Sequence, residues 1–301
     1  MTLRGRVTER RIVRRWTACA VAACAVAACT EPSDGGPDAC PAPALETPWL
    51  APFVTDVVGE LAASPRATVA ERAAARSYLA EQLAAMGWSP EEHVYATGAN
   101  VFATIPATVP ATAPDALDAP APLELLVGAH FDTVPGSPGA NDNATGVAAV
   151  LAVARYLADA PCRAAPVTVV FFDEEELGLL GSRAFAATRA PSTVAAVHTL
   201  DQVGWDADGD RVFELELPTP ALEARYRSAA ELVGARISVT DTTATDHTAF
   251  RERGFAAVGL TEEFRGGDTS PHYHLPTDAP ATVDIPYLTL AIQLLLGTLS
   301  S

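Results

Sequence analysis

The chain of 301 residues contains no lysine; all 20 of its basic residues are arginine. That absence excludes a lysine nucleophile, a Schiff base and a phosphate-binding P-loop. No Gly-x-Ser-x-Gly nucleophile elbow occurs either. Basic charge is scarce overall, with a formal net charge of −17, which argues against a nucleic-acid partner because phosphate contacts need clustered cations. Charged residues make up only 19%, whereas 49% are hydrophobic, so the chain is no disordered acidic tail and has ample material for a core. No internal repeat is visible.

The charge is unevenly placed. Residues 1–28 hold six Arg and one Glu, a local +5, and the rest holds 14 Arg against 36 acids, or −22. Arg4 to Arg15 form a basic leader, and Trp16–Ala28 is apolar, rich in small residues and too short to span a bilayer. This is the pattern of a secretory signal. Its end, Val26-Ala27-Ala28-Cys29, resembles a bacterial lipobox, which predicts a lipid on Cys29; Val21-Ala22-Ala23-Cys24 fits the same pattern but leaves a shorter apolar stretch. Residues 29–48 then read as a flexible tether and 49–301 as one domain. The expected location is a bacterial membrane surface facing the periplasm or exterior, with the lipid as the sole membrane contact, or the secreted state where the signal is an ordinary cleaved one. After Cys19 and Cys24 leave with the signal and Cys29 takes the lipid, Cys40 and Cys162 remain as an even pair in an oxidising compartment and are expected to form a disulfide.

Along the domain, Ser64-Pro65 is expected to open a helix that runs to Met86 and stops at Gly87. Strands are expected at Val101–Ile105, Leu123–Ala129, Val167–Phe172, Val194–Leu200 and Val212–Leu217. Helices are expected at Asn143–Ala158, Gly178–Thr188, Ala221–Val233 and Val283–Leu299, with a Pro/Ala-rich loop at 106–122. Continuous apolar strands separated by helices predict an α/β fold: a mostly parallel mixed sheet with helices on both faces. Such sheets collect functional groups at the C-terminal ends of their strands.

Three of these strands end in residues that can bind metal: His130-Phe131-Asp132, Asp173-Glu174-Glu175-Glu176, and His198-Thr199-Leu200-Asp201. Asn141-Asp142-Asn143 stands at a helix start, and His272-Tyr273-His274 lies near the C-terminus. Imidazoles and carboxylates on one rim suit Zn²⁺, and two ions would need a bridging carboxylate. A free Glu beside them can serve as general base. Taken singly, each such residue is more often a cap or turn residue.

Gly128-Ala129-His130-Phe131-Asp132-Thr133 and Pro138 to Gly146 resemble blocks of the M28 family of zinc aminopeptidases. So do Phe172-Asp173-Glu174-Glu175-Glu176-Leu177-Gly178, Leu200-Asp201-Gln202-Val203-Gly204, Asp246-His247-Thr248-Ala249-Phe250 and Tyr273-His274-Leu275-Pro276-Thr277-Asp278, in the family's order. The resemblance covers residues 50–300 and implies a zinc-exopeptidase-like domain. It implies that Asp142 bridges two zinc ions, that His130 and Asp201 complete one site, and that Glu176 and His274 complete the other. Glu175 would be the general base acting on a metal-activated water, Asp132 would orient His130, and Tyr273 would stabilise the oxyanion. Substrates would be peptides with a free N-terminus, whose α-ammonium an acidic rim recognises. Gln202 stands where the family often has Met, which alters a pocket wall. His272 competes with His274 as ligand, and the four-residue spacing from His274 to Asp278 favours His274. Asp246 and His247 are either cap residues or supports behind the ligands.

Three rivals are weighed. An M20-type carboxypeptidase or deacylase shares a His-Phe-Asp-Thr-Val-Pro motif, but there the bridging Asp comes later and a lid domain is inserted, for which this chain has no room. A glutaminyl cyclase, with one zinc, is matched locally by Phe171-Phe172-Asp173. A catalytically dead binding lipoprotein would not need all five ligands and the base. The oligomeric state is not legible.

Overall fold

The computed structural model describes residues 40–108 and 123–300. The signal, Cys24, Cys29 and most of the 106–122 loop therefore lie outside the described residues. Cys40 and Cys162 are joined by the expected disulfide, which closes a separation of 122 residues. It pins the chain just ahead of helix α1 (Leu50–Leu61) to the loop after helix α3 (Gly146–Asp159).

Eight strands form one sheet in the order β1-β2-β4-β3-β5-β8-β6-β7. They are β1 (Glu91–Val94), β2 (Ala99–Ile105), β3 (Glu124–His130), β4 (Val167–Phe172), β5 (Val194–Leu200), β6 (Val212–Glu216), β7 (Arg236–Thr240) and β8 (Ala257–Thr261). Neighbours β4-β3-β5-β8 run parallel, as do β6 and β7, whereas β1-β2, β2-β4 and β8-β6 pair antiparallel. The fold is thus the expected α/β type, a mostly parallel mixed sheet.

Alternate side chains of the buried strands feed two cores. Leu125, Val127 and Ala129 of β3, with Val169 and Phe171 of β4, pack under α1, α3, α5 (Pro220–Val233) and α7 (Ile285–Leu299). Leu126, Val170, Phe172 and Val197 point to the opposite face, against Phe185 of α4 (Leu180–Ala186) and Phe250 of α6 (His247–Arg251). Helices therefore cover both faces, and the apolar runs are continuous because neither face meets water.

Helix starts follow capping chemistry more closely than the sequence reading did. Helix α2 (Val69–Ala85) begins after Thr68, not at Ser64-Pro65, because Thr68 and Glu71 form a capping box that closes the first turn. Likewise α7 begins at Ile285, since Asp284 accepts from the Tyr287 amide. The expected helix at Asn143 starts as α3 only at Gly146; Ala140–Thr145 instead forms a wider turn with non-helical dihedrals at Asp142 and Asn143. Helices α1 and α6 and strands β1, β7 and β8 are not among the expected elements. Among the described residues, no helix is long and apolar enough to cross a membrane.

Candidate metal centre and cleft

His130 is the last residue of β3, Asp201 follows β5, and Glu175 and Glu176 follow β4. Those three strands are adjacent and parallel, so their C-terminal ends form one rim. Asp142 reaches this rim from the turn before α3, and His274 from the loop before α7.

The geometry centres on Asp142. Its Oδ1 lies 3.4 Å from His130 Nε2, and its Oδ2 lies 3.1 Å from His274 Nε2. His130 Nε2 is also 3.3 Å from Asp201 Oδ1, and His274 Nε2 is 3.2 Å from Glu176 Oε2. Two groups with metal-ligand spacing result, His130–Asp142–Asp201 and Asp142–Glu176–His274, with Asp142 common to both. Glu175 lies beside them, within ligand spacing of His130 and Glu176. His272 is elsewhere: its Nδ1 is 3.0 Å from Thr277 Oγ1 and its ring meets Trp205 edge-on.

Supports behind these residues explain the placement. Asp278 accepts from the amides of Asn141 and Asp142 at 2.8 and 3.0 Å, fixing the turn that carries Asp142. Arg66 is buried and donates to four carbonyls, those of Leu61, Phe131, Pro138 and Gly139, and so ties both flanks of the rim together. Gly139 takes a positive φ of 64°, and a Cβ there would stand 2.4 Å from the Asp142 carbonyl, so only glycine fits. Asp132 Oδ1 lies 3.5 Å from His130 Nδ1 and favours a charge on that ring. Its carboxylate also accepts from the amides of Glu175 and Glu176 at 3.0 and 3.2 Å. Of the four consecutive acids, Asp173 and Glu174 turn back to Arg72, and Asp173 also to Arg76. Only Glu175 and Glu176 face the cleft.

Arg66 and Glu262, which receives the Asn141 amide group, are absent from the sequence reading. No motif marks either; their importance comes from burial.

The electrostatics are those of a crowded acidic site. Burial, and then the Asp142 charge, raises the Glu176 carboxyl to about 7. Burial also pushes Glu175 well above its ordinary value, with Asp246, Asp201 and Glu176 adding repulsion against the opposing attraction of His130. Buried Asp246 rises to about 7 for similar reasons. Burial opposes ionisation of Asp142 as well, but hydrogen bonds to His130 and His274 outweigh it and hold the carboxyl at about 2. Burial works against a charge on His130, and the neighbouring Asp201 and Glu175 overcome it and raise its pKa.

These residues fit a divalent cation. Hard oxygen and imidazole donors converge, and Glu176 Oε1 is buried without a hydrogen-bond partner among the described residues. Carboxylates so close together repel unless positive charge lies among them.

The rim opens into a cleft of about 270 Å³ that also exposes Gln202, Glu216, Thr242, Thr245, Thr261, Phe264 and Tyr273. The Tyr273 ring stacks on His274 with centroids 3.8 Å apart.

A mixed α/β sheet carrying metal-ligand groups on the ends of its parallel strands is the architecture of a zinc-exopeptidase-like domain. Residues 100–298 match the model of peptidase family M28, and the chain belongs to that family. Aminopeptidase YwaD of Bacillus subtilis (strain 168) is 33% identical over 170 residues, covering 52% of this chain and 36% of its own length. The probable lipoprotein aminopeptidase LpqL of Mycobacterium tuberculosis is 49% identical over 59 residues, 20% of this chain and 12% of its own. The chain thus spans little more than a third, or less, of these curated relatives.

Among solved structures, BSAP, a zinc aminopeptidase from Bacillus subtilis, superposes with a TM-score of 0.59 at 26% identity, covering 67% of this chain and 49% of its own. An aminopeptidase from Aneurinibacillus sp. strain AM-1 gives a TM-score of 0.71 at 15% identity, with 83% and 92% covered. A glutaminyl cyclase from Porphyromonas gingivalis gives 0.68 at 21%, with 83% and 97% covered. The last two share the fold.

Proposed function

We propose that this chain is a di-zinc aminopeptidase that removes N-terminal residues from peptides. The observation that carries the reading is Asp142, whose two oxygens face two different imidazoles, His130 and His274. One ion would be held by His130, Asp142 and Asp201, the other by Asp142, Glu176 and His274. Bound zinc supplies Lewis acidity toward the scissile carbonyl and makes water acidic enough to attack at neutral pH.

The chain's own groups do the rest. Glu175 is no member of either ligand set, and its carboxyl is held well above the ordinary range by burial. Placed beside both ligand groups, it can accept a proton from water and return it to the leaving amine. The Tyr273 phenol, raised by burial and the nearby carboxylates, stays protonated and can donate to the oxygen that gains charge. Acidic groups lining the cleft would attract a substrate's free α-ammonium, which limits cleavage to the first residue. Asp132 holds the backbone that presents Glu175 and Glu176.

The full chain, zinc-loaded, is expected to release amino acids from aminoacyl anilides and dipeptides and to contain two zinc ions by mass spectrometry. Glu175→Gln is expected to keep its zinc and lose about 10²–10⁴-fold in kcat. Unchanged turnover excludes Glu175 as the base. Cyclisation of Gln-peptides with no amino-acid release would replace the peptidase reading by that of a cyclase.

We further infer that residues 1–28 direct export and that Cys29 carries a lipid tether. The basic-then-apolar leader supports this, as does the lipoprotein name of LpqL. Mass analysis of the purified chain's N-terminus tests it.

A further inference from the structure

The inner wall of the cleft is polar where a general pocket for apolar side chains would be greasy. Glu216 ends strand β6 opposite Gly259 of β8. It lines the same cleft as Asp142, Glu175 and Glu176, with its side chain only 4% exposed. Space for that carboxylate exists because residue 259 has no side chain: a Cβ there would stand 2.3 Å from Glu216 Oε2. Gly259 has no positive φ, so it serves space and not backbone freedom.

Thr245 Oγ1 donates to Glu216 Oε2 at 2.6 Å, and His247 Nδ1 lies 3.3 Å from the same oxygen. Among the described residues, no arginine lines the cleft. Two further oxygens on this wall, Gln202 Oε1 and Thr242 Oγ1, are buried with no hydrogen-bond partner among the described residues. Beside a buried carboxylate whose Oε2 already has Thr245, the unpartnered Gln202 carbonyl oxygen and Thr242 hydroxyl are costly until polar partners reach them. An apolar substrate side chain would seal them off unpaired. A guanidinium offers five donors and no acceptor, in a planar fork that matches a carboxylate. Leu179 and Phe264, on the same cleft, can flank its methylene stem.

We propose that the Glu216 wall selects substrates whose N-terminal residue is cationic, arginine foremost. This rests on the aminopeptidase reading and names its substrate class. Arginine and citrulline have nearly the same shape and differ in charge, so they isolate the carboxylate's contribution. The test compares kcat/KM of the zinc-loaded chain on arginyl, citrullinyl and leucyl p-nitroanilides, for wild type and Glu216→Gln. The expected result is an arginine-to-citrulline ratio of about tenfold or more in wild type, falling to about threefold or less in Glu216→Gln. Equal rates for arginine and citrulline in wild type overturn the proposal without any variant, as does a ratio that Glu216→Gln leaves unmoved. If no anilide is cleaved, the aminopeptidase reading fails by itself. Calorimetric binding of free arginine against free citrulline then decides the wall: tighter arginine upholds it and equal binding overturns it.

Discussion

The two walls of the cleft are held in opposite ways. On the metal rim, carboxylates are fixed by main-chain amides: Asp278 takes those of Asn141 and Asp142, and Asp132 takes those of Glu175 and Glu176. On the inner wall, side chains stand on strand β6, after β5 and in the loop after β7, and Gln202 and Thr242 keep oxygens without partners among the described residues. The rim's backbone is tied down beneath its ligands, and the free capacity there, at Glu176 Oε1, points to a cation. The wall keeps bonding capacity to spare, as a surface proposed to receive a cationic side chain would.

Breaking the rim should show first as lost metal. Asp142→Ala removes the carboxylate common to both ligand groups. Zinc content is expected to fall from two ions to one or fewer per chain, with turnover below detection. An unchanged zinc content would remove Asp142 as the bridge. Asp278→Asn, one layer further out, is expected to weaken zinc binding by about 10–100-fold in a competition titration with a chelator.

Arg66→Met probes the rim's scaffold and not its ligands. It leaves four carbonyls without their donor, and denaturant unfolding is expected to show a loss of about 3 kcal/mol or more. A loss near zero would mean those carbonyls find other donors.

The rim should also betray its acids through pH. Glu176 and Asp246 both titrate at about 7 in the folded chain, burial being the main cause, against ordinary values of 4.5 and 3.8. Between those ordinary values and 7, the folded metal-free chain binds more protons than the unfolded one, so its stability falls as pH rises. Asp142 acts oppositely, but its stabilising contribution is lost only as pH falls from 3.8 toward about 2, outside that window. The chelator-treated protein is therefore expected to melt at a lower temperature at about pH 7.5 than at about pH 5. Added zinc should reverse the order, because deprotonated ligands bind it better. A Tm that rises with pH in chelator contradicts the assignment.

The smallest expected effect on metal sharpens the contrast most. Gln202→Met is expected to keep two zinc ions and to shift only the preference among N-terminal side chains, as read by the same set of anilides. Zinc loss there, on the scale of Asp278→Asn, would mean that the two walls are one unit.

Much of the rim is legible in the linear sequence because its residues fall at the ends of apolar runs. His130, Glu175, Glu176 and Asp201 close or follow strands whose Val, Leu and Phe content marks them as buried. Asp142 reads as a helix-start residue, although the helix begins later and the turn before it is what aims the carboxylate. The four-acid run looks uniform in sequence. Only the fold divides it, sending Asp173 and Glu174 to arginines on α2 and the next two acids to the cleft.

The sequence by itself determined the mostly parallel, doubly covered sheet, because that depends on residue type and on apolar runs; the pair Cys40 and Cys162 followed from which cysteines the leader and the lipid leave over, and the ligand set proposed for the rim follows from the resemblance to the M28 blocks. The inner wall was decided by tertiary structure alone. In Val212-Phe213-Glu214-Leu215-Glu216 both acids alternate with apolar residues along the strand, and both are buried. Register against β8 places Glu216 over a glycine 43 residues later, and long-range register is set by the packing of the whole sheet, which no local pattern encodes.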